Sequence, residues 1–155
     1  MKVINIQRRI ASNFQREITK FPWFLVENSI WISISEPGIS NTQVNNSVLD
    51  QCPKLEISFW DIEKNFNYTN PENGVSEILR PPSDEDAEKI VDFILDNPNK
   101  NIIVNCKAGV SRSGAVAQFC EDILSYEWPR SHKNIAVPNM LLYRKMVNYY
   151  YGTLI

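Results

Sequence analysis

Residues Ile102 to Val116 read IIVNCKAGVSRSGAV, and the fold turns on how that string is parsed. Ile102, Ile103 and Val104 form a short, wholly apolar run, the pattern of a central strand in a parallel sheet buried on both faces. A loop from Cys106 to Arg112 follows, in which Gly109 permits tight backbone curvature. From Ser113 a helix is predicted to about Tyr126, with Val116, Phe119, Cys120 and Ile123 on one face. Strand, loop and helix start in this order make an anion cradle: the loop N–H groups converge on one point at the positive end of the helix dipole.

Two side chains turn such a cradle into a reaction site. Cys106 sits where those N–H groups and the dipole would stabilise a thiolate and lower its pKa. Arg112 carries a planar fork that binds two phosphate oxygens at once. Ser113 is placed to donate its hydroxyl to the Cys106 sulfur. The expected arrangement is a nucleophile beneath a phosphate, with Lys107, Ala108, Gly109, Val110, Ser111 and Arg112 as the phosphate-binding set. Seven Arg in 155 residues give any Cys roughly a 5% chance of an Arg six positions on, so that spacing alone is weak. The apolar strand before it, the Gly within, the Ser after and the helix beyond make the whole string specific.

Outward from this stretch, strands and helices alternate. Val3, Ile4 and Ile6 begin a short strand, and Ile10, Phe14 and Ile18 recur at helical spacing to about Lys20. Ser29 to Ser35 places Ile30, Ile32 and Ile34 on one strand face, closed by Pro37-Gly38 and an Asn-rich loop to Asp50. Leu55, Ile57 and Phe59 alternate in a strand from about Lys54 to Trp60. Residues 62–82, with four Asn, three Pro and one Gly, read as a long surface loop. Ser83 is an N-cap, with Asp84, Glu85 and Asp86 in the first turn and Ala87, Ile90, Val91, Ile94 and Leu95 as the buried stripe. Asn97-Pro98-Asn99 stops that helix, and Pro138 opens a last one to about Tyr150. The expectation is one α/β domain over residues 1–155, with a central, mainly parallel, twisted sheet of about four to five strands flanked by helices.

Composition sets the outer bounds. Sixteen Lys+Arg against eighteen Asp+Glu argue against a nucleic-acid module, and no apolar run is long enough for a membrane span. The first residues lack the apolar region and cleavage site of a signal peptide. Three Cys and one His offer no metal-ligand spacing, so no metal is expected. Reduced thiols in a cytoplasmic monomer are the simplest setting.

Asn105 to Gly114, NCKAGVSRSG, resembles the signature loop of cysteine-dependent protein tyrosine and dual-specificity phosphatases, and the late position of the loop resembles the compact dual-specificity group. WISISEPG and LEISFWDIE are similar to strand-and-loop segments of small bacterial and phage members. The resemblance implies phosphomonoester hydrolysis in two steps, with no cofactor, on a phosphorylated protein: phosphotyrosine, with phosphoserine and phosphothreonine open. Cys106 would form a phosphocysteine, and an Asp would protonate the leaving oxygen and then activate water. Asp61 is the choice for that acid, because it ends a strand and the C-terminal ends of parallel strands share one edge, where ligands bind. Asp84 and Asp86 are the rivals. Members usually have His before the nucleophile, where this chain has Asn105. That departure keeps two other readings in view: a phosphate-binding protein without turnover, and the same chemistry on a phosphoinositide or an RNA 5′ end.

The remaining candidates have structural readings. Cys120 falls on an apolar helix face and Cys52 beside a strand, both read as packing. His132 falls in a polar loop and is expected to face solvent. Lys107 reads as a loop-rim cation, Trp60 as a packing or gating ring beside Asp61, and Tyr149 to Tyr151 as a helix end with one buried ring.

Overall fold

A computed structural model describes residues 1–12, 28–38 and 49–154. Its centre is a sheet of four strands, β1 (Val3–Gln7), β2 (Ser29–Ser35), β3 (Lys54–Ser58) and β6 (Asn101–Cys106), in the order β1-β6-β2-β3. Every neighbouring pair is parallel. The two interior strands, β2 and β6, are buried along their whole length. For β6 this is what its apolar run predicts. For β2 the finding goes further than one apolar face: Trp31 and three serines fill the second face, small or bonded polar groups where a covered sheet has no room for water.

The strand pleat sorts side chains into two cores. On one face Ile30, Ile32, Ile34, Ile102 and Val104 pack against α2 (Asp84–Leu95), α3 (Arg112–Leu124) and α5 (Met140–Thr153). On the other, Ile4, Ile6, Trp31 and Ile103 meet Ala11 of α1 (Arg8–Ser12), Leu49 and Cys52. The predicted helix through Ile10 begins as α1; its Phe14 and Ile18 lie outside the described residues, as does most of the Asn-rich loop.

Ser83 caps α2 as expected: its hydroxyl accepts from Asp86 N while Asp86 accepts from Ser83 N, a reciprocal capping box. Leu95, placed in the buried stripe by its spacing, is instead 39% exposed, because the helix turns its last residue out toward solvent. α3 stops at Leu124, two residues earlier than expected, where Ser125 takes a left-handed conformation at φ 60°. A short helix, α4 (Arg130–Lys133), follows, and Asn139 caps α5 by accepting from Leu142 N, one residue after the expected Pro138 start.

The clearest correction concerns residues 62–82. They contain a two-stranded antiparallel hairpin, β4 (Phe66–Thr69) and β5 (Ser76–Leu79), with Phe66 opposite Leu79 and Tyr68 opposite Glu77. The asparagines that suggested irregular structure build its turn: Asn70 Oδ1 accepts from Glu72 N, Asn73 Oδ1 from Val75 N, and Gly74 has φ +69°. Among the described residues no helix is long and apolar enough to cross a membrane.

Candidate active site

Because the strands are parallel, their C-terminal ends line up on one edge of the sheet. β1 delivers Arg8 there, β2 delivers Glu36, β3 delivers Phe59 to Asp61, and β6 ends in Cys106. The loop from Cys106 to Ser111 leads straight into α3. Four of its carbonyls are taken by flanking donors. Arg8 N donates to Lys107 O at 3.4 Å, Asn5 Nδ2 to Gly109 O at 2.8 Å, Val137 N to Val110 O at 3.1 Å and Asn139 N to Ser111 O at 3.0 Å. The backbone N–H groups of Lys107 to Ser111 donate to no acceptor among the described residues, which leaves them free to converge on an anion.

Gly109 is dictated twice. Its φ is +71°, and a Cβ there would stand 2.5 Å from the carbonyl carbon of Ile6. The loop is thus moulded against the backbone of β1, a close approach only glycine allows. Cys106 is buried, with Sγ 3.2 Å from Ser113 Oγ, so the expected pair is brought together.

Arg112 is 4% exposed and held from two sides. Nη1 donates to Phe59 O at 3.0 Å and Nη2 to Glu36 Oε1 at 3.0 Å, while Nε has no partner. Glu36 is shared: its Oε2 accepts from Arg8 Nη2 at 2.6 Å. Burial opposes the charged carboxylate, but the hydrogen bonds from Arg8 and Arg112 outweigh it and hold the Glu36 pKa down to about 2. The guanidinium is therefore aimed by an ionised carboxylate across the physiological range.

Asp61 meets the loop through two bonds to one oxygen. Ser111 Oγ donates to Asp61 Oδ1 at 2.7 Å, and Asn139 Nδ2 donates to the same atom at 3.1 Å and to Ile62 O at 3.1 Å. The rivals are occupied elsewhere, Asp84 with Lys145 Nζ at 3.2 Å and Asp86 in the capping box. Lys107 and Ala108 lie exposed on the rim.

Asn105 is fully buried. Its Oδ1 accepts from Trp31 Nε1 at 2.6 Å, while its Nδ2 has no partner; Ser33, beside it in register, has an unpartnered Oγ. A second indole does similar work: Trp128 Nε1 donates to Asn5 Oδ1 at 2.8 Å, orienting the amide that holds Gly109. Cys120 is core and Cys52 belongs to the cluster on the opposite sheet face; burial pushes both thiols up, Cys52 to about 11. His132 is not solvent-facing: it is 7% exposed, and burial lowers its pKa. Its loop folds back over β1 as α4, which the polar composition of the segment hid. Trp60 is half-buried, and none of the three tyrosines is fully buried: Tyr149 and Tyr150 are half-covered and Tyr151 is exposed.

Glu36, Asn5 and Asn139 carry no motif of their own. Glu36 had a signal nonetheless, since the strand-end rule that selects Asp61 selects it equally. Asn139 was readable as an N-cap beside Pro138. Asn5 is a polar residue inside an apolar strand, a pattern with many innocent causes.

No protein-family model matches this sequence, and no curated protein matches it by sequence. Solved structures do match by shape. Tk-PTP, crystallised in its active form, superposes with a TM-score of 0.50 at 13% identity, covering 96% of this chain and 90% of its own. PTPMT1 gives 0.49 at 14% identity over 97% and 95%, and the human tyrosine phosphatase-like serine/threonine/tyrosine-interacting protein 0.47 at 16% over 88% and 86%. With its parallel sheet, its helices and the loop between β6 and α3, this chain has the fold of the cysteine-dependent tyrosine and dual-specificity phosphatases.

Proposed function

We propose that the protein hydrolyses phosphomonoesters through Cys106, with phosphotyrosine in proteins as the first substrate class to test. The observation that carries this reading is the Arg112 guanidinium: buried, aimed by Glu36 and Phe59 O, and left with an unpartnered Nε beside a loop whose Lys107, Gly109, Val110 and Ser111 carbonyls are taken by flanking donors. A buried donor without a partner is costly unless a ligand satisfies it, and a phosphate oxygen does so.

In the reaction this supports, Cys106 Sγ attacks phosphorus while the bond to the ester oxygen breaks. Asp61 gives its proton to that oxygen, and the product alcohol leaves. Water then attacks the phosphocysteine, Asp61 takes up one of its protons, and the S–P bond breaks to release phosphate. The Ser113 hydroxyl stabilises the departing sulfur by hydrogen bonding. Loop N–H groups and Arg112 hold the phosphoryl oxygens in both steps, where charge shifts among them. The roles require no metal or organic cofactor.

The test is turnover of p-nitrophenyl phosphate. Cys106→Ser is expected to abolish it and to keep phosphate or vanadate binding; a mutant retaining more than a few per cent of the activity refutes the nucleophile. Arg112→Lys keeps charge but loses the fork, and is expected to lower kcat/KM roughly 100-fold, about 3 kcal/mol of transition-state stabilisation. Asn105 in place of His, with its unpartnered Nδ2, favours one second reading, a phosphate-binding protein without turnover. Wild-type protein that binds phosphopeptide but releases no phosphate would select it.

A further inference from the structure

Of the seventeen Asn in this chain, Asn73 is the one that Gly follows. The pair lies in the turn between β4 and β5, and both residues are exposed. The side-chain amide of an Asn can be attacked by the backbone nitrogen of the next residue, which closes a five-membered imide. The next side chain normally obstructs that approach. Gly74 has none, and a Cβ at its position would meet nothing within 4 Å, so the ring has room to close.

The turn also prepares the carbonyl for attack. Val75 N donates to Asn73 Oδ1 at 2.9 Å. That bond draws electrons away from Cγ and would hold the oxyanion that forms there. One contact opposes the attack: Gly74 N donates to Asn70 O at 2.8 Å, and this bond must open before the nitrogen is free. The opening costs little here, because the hairpin has only two strands, with all but one of their residues exposed, and such a pair is marginal by itself. Other asparagines lack these conditions. Asn70 and Asn97 precede Pro, which has no N–H. Asn5, Asn105 and Asn139 are buried. Asn67 is exposed but lies inside β4, in front of Tyr68.

We propose that Asn73 is a self-modification site, converted without any enzyme to aspartate and isoaspartate. Gly74 N bonds to Asn73 Cγ and the Cγ–Nδ2 bond breaks. The proton of Gly74 N, relayed by water, leaves with the amide nitrogen as ammonia. Water then opens the imide. Attack at Cγ breaks its bond to Gly74 N and gives aspartate. Attack at the main-chain carbonyl breaks the original peptide bond and gives isoaspartate, with an extra methylene in the backbone. Both products place a new carboxylate at the hairpin tip. The isoaspartyl form also lengthens the turn, so the bonds from Asn70 N to Val75 O and from Gly74 N to Asn70 O cannot both persist. The disturbance ends at the base of the arm, where Asn139 Nδ2 donates to Ile62 O and Leu141 N donates to Glu63 Oε1.

The test is to age the whole protein at neutral pH in heavy-oxygen water, digest it and read each Asn by mass spectrometry. Residue 73 is expected to gain one labelled oxygen and to give both aspartyl and isoaspartyl peptides, ahead of every other Asn. A free peptide of the sequence Phe66 to Leu79 sets the intrinsic rate, and the protein is expected to run about tenfold slower, the cost of opening one hydrogen bond. Asn73→Gln, which would need a larger ring, is expected to stay unlabelled. Aged wild type is expected to be cut by protease inside the hairpin faster than fresh protein, with p-nitrophenyl phosphate turnover unchanged. Residue 73 intact after the free peptide is fully converted overturns the proposal, as does another Asn converting first. Loss of turnover on ageing that Asn73→Gln prevents overturns the confinement to the hairpin. The mass readout needs no turnover, so it decides the fate of Asn73 even where the hydrolase reading fails.

Discussion

The loop from Cys106 to Arg112 and the arm that carries Asp61 meet at one point but are built in opposite ways. The loop is clamped from all sides: by the backbone of β1 at Gly109, by donors from Arg8, Asn5, Val137 and Asn139, and by the Glu36–Arg112 pair. Asp61 is exposed, and two side-chain bonds to a single oxygen hold it before the chain runs out into an exposed hairpin. The contrast suits the two tasks proposed for them. Holding an anion needs donors fixed beforehand, whereas a residue that gives and then takes a proton must be reachable by the leaving group and by water.

Glu36→Gln breaks the clamped half. It leaves the buried Arg112 without its counter-charge, and is expected to cost about 3 kcal/mol in urea denaturation. The pH dependence follows from the lowered Glu36 pKa. The folded state binds fewer protons than the unfolded state between about 4.5 and about 2, so this stability is complete above pH 4.5 and is lost as pH falls toward 2. Buried His132, whose pKa is also lowered, removes stability earlier, below its ordinary 6.5. Glu36→Gln should erase the lower of these two acid limbs and keep the upper one. A variant as stable as wild type at pH 7, with the lower limb intact, would show that the clamp is not electrostatic.

Asp61→Asn breaks the other half, and of the first it alters only the bond from Ser111 Oγ. It is expected to lower kcat about 100-fold on phosphotyrosine, with phosphate affinity unchanged. The loss should shrink on aryl phosphates with better leaving groups, which need little protonation. A larger loss in Asp84→Asn or Asp86→Asn would move the acid to α2.

Asn139 joins the halves, and its removal should have the smallest effect. Asn139→Ala is expected to lose about 1 kcal/mol of stability as a helix cap and severalfold in kcat. If it positions Asp61, the kcat loss will depend on leaving group as in Asp61→Asn. A loss uniform across substrates would make it a cap alone.

The same division governs what could be read from sequence. The loop and its helix are encoded within fifteen consecutive residues, so strand, turn and helix signals reinforce one another. The grip on that loop is encoded at a distance, since Asn5 reaches across 104 residues to Gly109 and Arg112 across 76 to Glu36. No local pattern marks such partners. The hairpin was hidden for a different reason: its strands have four residues each, too short for alternation to stand out against a turn full of Asn. His132 was misread because polarity of a segment says nothing about which member folds inward.

The two indole N–H bonds have a spectroscopic consequence. Trp31 and Trp128 are buried chromophores, each fastened to an asparagine that touches the loop or begins it, and Trp60 lies half-covered beside Asp61. Fluorescence and near-ultraviolet dichroism of the unlabelled protein should therefore report on the loop from beneath and from beside it. Titrating vanadate into Trp23→Phe and into Trp23→Phe/Trp60→Phe would separate the two vantage points, with the signal surviving in the double variant belonging to the indoles underneath.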